Sequence, residues 1–118
     1  MGAIKLYFKL AWQLKTPFIL ILDSRYRVLP FSMINGLCKI IDVEYETDYF
    51  DCDDFAWMFK AEAIKRRING VGFVIGRYSG GLHAWNVALT NSGVFQVEPQ
   101  TGHIFGTDGH YRPLAVVI

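Results

Sequence analysis

Asp51-Cys52-Asp53-Asp54-Phe55-Ala56-Trp57-Met58-Phe59-Lys60-Ala61-Glu62-Ala63-Ile64 is the stretch on which the fold turns. Counting from Cys52, the residues Ala56, Phe59 and Ala63 follow at offsets of four, seven and eleven, so all four share one face of a helix. Asp51 is a good N-cap, and Asp54 lies in the first turn, where carboxylates suit the positive end of the helix dipole. Asp followed by Asp three residues on makes a weaker version of the Ser/Thr–Glu capping box. The helix is predicted over 52–69. Asn69-Gly70 supplies its stop, with Gly70 free to take the left-handed conformation just past a helix end.

Beyond Gly70 the periodicity changes from helical to alternating. Val71–Tyr78, Leu82–Leu89 and Val94–Glu98 read as three antiparallel strands, joined through Ser79-Gly80-Gly81 and Asn91-Ser92-Gly93. Pro99–Gly102 is a turn, Gly106–Gly109 a loop, and Leu114–Ile118 a last strand. Upstream, residues 3–15 alternate like a strand, yet Ala3, Tyr7, Leu10 and Leu14 also form one helical stripe; a helix ending near Thr16-Pro17 is the expectation. Phe18–Leu22 reads as a short buried strand or extended core segment and residues 32–42 as a short helix. Helices first, then an antiparallel sheet with one helix packed on it, give an α+β layout in a single domain over 1–118.

Composition sets the outer bounds. The chain has 118 residues, 52% of them hydrophobic and 19% charged, which is ample for one packed core. A net charge of +1 offers no electrostatic case for nucleic acid. Lys65-Arg66-Arg67 sits at a helix C-terminus, where cations match the dipole. Phe18–Leu22 is far short of the roughly 20 apolar residues a membrane span needs, and no secretory cleavage pattern follows it. Two cysteines, Cys38 and Cys52, cannot build a disulfide framework, so a cytoplasmic, reducing setting with free thiols is expected.

Cys52 is the candidate nucleophile. At the first helical position, unpaired backbone N–H groups and the dipole favour a thiolate and could help hold an oxyanion. Asp51, Asp53 and Asp54 act against this where they face the sulfur. His83 is the candidate base. A two- or four-residue loop between the second and third strands puts Trp85 opposite Glu98, and Glu98 then becomes a diagonal neighbour of His83, at roughly 7–8 Å between backbones. A three-residue loop would turn Glu98 to the other face. An acid bonded to one imidazole nitrogen fixes the tautomer and leaves the other nitrogen for the thiol. The bland alternative is a buried structural cysteine and histidine.

Three strings carry a resemblance. Asp51-Cys52-Asp53-Asp54-Phe55-Ala56 resembles the nucleophile motif of transglutaminase-like proteins, in the form found in bacterial transglutaminase-like cysteine peptidases. Leu82-His83-Ala84-Trp85-Asn86 is similar to that family's histidine string, and Phe95-Gln96-Val97-Glu98-Pro99-Gln100 parallels the string carrying its acid. The likeness covers residues 50–100 and has departures: Glu in place of Asp, Phe50 in place of a glycine, and a short interval from Cys52 to His83. It implies a papain/transglutaminase-like core and a cysteine-dependent peptidase or amidase working through a Cys52–His83–Glu98 triad and a thioester. Trp85, Asn86 and Gln100 would then be substrate-binding, with a protein or peptide substrate, no cofactor, no metal, and no nucleic-acid or membrane partner. Similar short chains resemble phage-encoded proteins. The alternative is an inactive fold of the same family serving as a protein-binding module, with Trp57 and Trp85 on its partner surface.

Overall fold

The computed structural model describes residues 2–118. In chain order they form α1 (Ala3–Leu14), β1 (Ile19–Leu20), a 3-10 turn (Phe31–Met33), α2 (Ile34–Ile40), α3 (Cys52–Lys65), β2 (Val71–Tyr78), β3 (Gly81–Thr90), β4 (Gly93–Glu98), β5 (His103–Phe105) and β6 (Tyr111–Val117). The strands make one six-stranded sheet in the order β1-β6-β2-β3-β4-β5. All neighbouring strands run antiparallel except β1, which lies parallel to β6 along the edge.

The sheet is therefore mixed, and both of its faces are covered, in place of the expected small antiparallel sheet carrying one helix. Leu6, Leu10 and Leu14 of α1 pack against Val74, Trp85, Val87, Leu89 and Val116 on one face. Ile34 and Leu37 of α2, with Phe55, Phe59 and Ala63 of α3, pack against Val71, Ala88 and Val97 on the other. Alternation along β3 feeds both layers, which is why its residues from Ala84 to Thr90 are all buried. The stripe that docks α1 is Leu6, Leu10 and Leu14, spaced by four, so Leu6 takes the place expected of Tyr7. β1 is an edge pair, and its flanking Phe18 and Leu22 stay 70% and 58% exposed, so this segment is not the buried strand its composition suggests.

α3 begins where the residues predict. Asp51 and Asp54 close a capping box, the Asp51 N–H donating to the Asp54 carboxylate at 3.2 Å. Its end comes four residues early. Arg67 takes the left-handed conformation (φ 59), and the N–H of Ile68 reaches back to the Ala63 carbonyl. Gly70 is needed for a different reason: a Cβ there would lie 2.5 Å from the Arg27 carbonyl oxygen, which pairs with the Gly70 N–H.

The β3–β4 hairpin settles the register. Thr90 pairs with Gly93 across a two-residue turn, and the Thr90 hydroxyl donates to the Gly93 carbonyl while accepting the Ser92 N–H. Asn86 stands opposite Val97, so one step further brings Trp85 level with Glu98.

Candidate functional site

His83 and Glu98 meet on the α1-facing side of the sheet. The His83 Nε2 lies 2.5 Å from the Glu98 Oε1, with the glutamate side chain almost fully buried. That same oxygen accepts the Tyr111 hydroxyl at 3.2 Å, and Oε2 accepts the Gln100 N–H at 3.4 Å. The Glu98 backbone carbonyl also holds the N–H groups of Thr101 and Gly102, so the turn after Pro99 anchors the acid from both its side chain and its main chain. In a neutral imidazole, a carboxylate that only accepts places the proton on Nε2 and leaves Nδ1 with a lone pair.

Cys52 approaches from the other layer. It opens α3 and packs partly buried against Ala56, Phe73 and Ala84. Ala84, the residue that follows His83, is one of its packing partners. Among the described residues, no hydrogen bond joins the sulfur to the His83 ring. Burial pushes the thiol above its ordinary value; the Ala84 N–H partly offsets this, and the carboxylates of Asp51 and Asp53 add to it. The thiol of Cys38 in α2 is pushed up to about 11 by burial and then by Glu98.

The other expected contacts divide. Trp85 is fully buried and its indole N–H donates to Gln96 at 2.8 Å, so it is a core residue and not a substrate contact. Asn86 is equally buried, and its amide ties the Ala56 carbonyl of α3 to the Gly72 carbonyl of β2. Gln100 is exposed on the turn and touches the site through its backbone N–H. Asp51, Asp53 and Asp54 bring carboxylate oxygens within 4.8 Å of one another, close enough to share a cation. In this structure they work as a helix cap, Asp51 accepting the Asp48 N–H and facing Asp53, whose carboxyl is raised by that contact.

Sequence reasoning missed Tyr111 and the residues around it. His83, Trp85, Phe105 and Tyr111 stack into an aromatic cluster beside Glu98, with His103 against Phe105 at 4.8 Å between ring centres. His103 and His110 both bond the Asp108 carboxylate. A cleft of about 630 Å³ opens next to this cluster, lined by Gln13, Thr16, Thr107, Asp108, Tyr111 and Arg112. Tyr111 lies in the segment after Gly106–Gly109, where no periodic signal connects it with Glu98.

The family model described as agglutinin C-terminal matches residues 31–104, a span that contains Cys52, His83 and Glu98. The chain belongs to the agglutinin C-terminal family. The whole chain also superposes on a Polyporus squamosus lectin, solved bound to the human-type influenza-binding epitope Neu5Aca2-6Galb1-4GlcNAc, with a TM-score of 0.85 and 23% identity. A second structure, the PSL1a-E64 complex, gives a TM-score of 0.81 at 24% identity. The chain spans only 49% and 51% of those two chains, so it is similar in fold to about half of each. No curated protein matches the chain.

These findings correct the transglutaminase-like resemblance. The matching family is that of the agglutinins, and the sheet is the one seen in the lectin chain, which replaces the expected papain/transglutaminase-like core. The expected cysteine peptidase or amidase gives way with it. The inactive transglutaminase-like protein-binding module falls with its family. The expected protein or peptide substrate falls with that family as well. Each of the three strings encodes a local need (a capped helix, a hairpin histidine, an acid before a turn), and such needs recur across families.

Proposed function

We propose that this chain is the agglutinin C-terminal module of a carbohydrate-binding protein, with its recognition surface beside the His83–Glu98 pair. The observation that carries the reading is the family match across residues 31–104. The likeness of the whole chain to half of a glycan-bound lectin supports it. Within the chain, the cleft of Gln13, Thr16, Thr107, Asp108, Tyr111 and Arg112 has the make-up a sugar requires: amide, hydroxyl and carboxylate groups for its hydroxyls around an aromatic ring edge. Arg112 has no carboxylate partner among the described residues, which leaves its guanidinium for an acidic sugar.

At the residue level we infer that Cys52, His83 and Glu98 form the module's thiol–imidazole–carboxylate centre, with Glu98 orienting the ring through Nε2. The test is a biosensor surface bearing Neu5Aca2-6Galb1-4GlcNAc beside its asialo form. Saturable retention of the chain, competed by free trisaccharide and weakened about tenfold or more by Arg112→Ala, is expected for a charge-assisted contact. Absence of retention on both surfaces at millimolar sugar moves recognition off this chain and overturns the reading.

A further inference from the structure

Glu98 is held by three donors from three directions, and one of them comes from across the sheet. Tyr111 opens β6, which is separated from β4 by the two strands β2 and β3. Its ring is gripped edge-on by Trp85 at 5.1 Å between ring centres, and by Phe105 at 4.5 Å and Tyr78 at 4.7 Å. Its hydroxyl reaches the Oε1 that also bonds the His83 ring. With the Gln100 N–H on Oε2, both carboxylate oxygens are pinned, so the carboxyl plane is denied rotation about its last torsion.

We infer that Tyr111 is the positioning residue of the His83–Glu98 pair: its hydroxyl fixes the rotamer of Glu98 and, through Glu98, the tautomer of His83. This deepens the thiol–imidazole–carboxylate reading above and rests on it. A phenyl ring would fill the same aromatic cluster equally well, so packing accounts for the ring and leaves the hydroxyl to be explained. The phenol keeps its proton as such a donor must: burial and the Glu98 carboxylate both push its ionisation well above the ordinary tyrosine value. Tyr111 also lines the adjoining cleft, so a ligand there would press on the ring that steadies the pair.

The experiment is long-range nitrogen-15 NMR of the imidazoles in the full chain near pH 7.5, in wild type, Tyr111→Phe, Glu98→Gln and Tyr78→Phe, with melting curves for each. Wild type is expected to show the Nε2–H tautomer of His83. Tyr111→Phe is expected to shift the tautomer ratio about tenfold or more toward Nδ1–H, the equilibrium equivalent of one hydrogen bond to a charged group. Tyr78→Phe, whose hydroxyl bonds nothing among the described residues, is expected to leave it unchanged. An unaltered ratio in Tyr111→Phe alongside an altered one in Glu98→Gln reduces Tyr111 to packing and overturns the inference. An unaltered ratio in Glu98→Gln instead removes the pair on which it rests. Should Tyr111→Phe fail to fold, ultraviolet titration decides between wild type and Glu98→Gln: a tyrosine ionising at lower pH in the variant supports the contact, and superposed curves reject it.

Discussion

Cys52 shows how a residue's setting outweighs its position in an element. The start of a helix and the Ala84 N–H both favour a thiolate, while burial, Asp51 and Asp53 oppose it, and burial is the largest of these effects. The balance keeps the sulfur protonated at neutral pH, so alkylation by iodoacetamide is expected to be slow near pH 7 and to rise with a midpoint above the ordinary thiol value of 9.0. Cys38, pushed further up, is expected to label more slowly still. Asp53→Asn should move the Cys52 midpoint down, since it removes one of the charges that oppose ionisation. Mass-spectrometric labelling at a series of pH values reads all three outcomes, and a Cys52 midpoint below neutrality would show that the carboxylates and burial do not govern the thiol.

Among elements, α3 and the β3–β4 hairpin place the site, and both were legible from the sequence. The capping pair Asp51 and Asp54 and the spacing of Ala56, Phe59 and Ala63 are local features. So is the Asn91-Ser92 turn, which by its length decides on which face Glu98 falls. The joint between the elements was not legible. Asn86 reads as one more alternating polar residue of β3, yet it is buried and bridges α3 to β2 through two hydrogen bonds. Asn86→Ala leaves both the Ala56 and Gly72 carbonyls without that donor in a dry interior and is expected to cost about 2 kcal/mol. Denaturant titration measures it; a loss well under 1 kcal/mol would mean that water replaces the amide. Arg67 carries the helix stop in place of Gly70 because the contact of Gly70 with the Arg27 carbonyl, distant in sequence, claims the glycine for another purpose.

At the scale of the whole molecule the sheet is the partition between two cores. Leu10 is fully buried on the α1 side and Phe59 on the α3 side, with no shared cluster. Leu10→Ala is expected to cost about 2–5 kcal/mol and Phe59→Ala about 3–5 kcal/mol. Because the two sites lie in separate layers, the costs should add to within about 0.5 kcal/mol in any background stable enough to carry both. A large non-additive remainder in chemical denaturation would show the layers to be coupled through the sheet. The sequence by itself determined α3 and the run of strands β2, β3 and β4, and it admitted the pairing of His83 with Glu98 for a two- or four-residue turn, because each depends on neighbours within a turn or a hairpin; the structure chose the two-residue turn. Only the tertiary structure decided that α1 covers the second face of the sheet, that β1 runs parallel to β6, that Trp85 and Asn86 lie in the interior, and that Tyr111 closes over Glu98. These depend on contacts between segments far apart in the chain, which no local period records. The family, too, emerged from the long match and not from the motifs: three short strings fix local geometry, and many folds share that geometry.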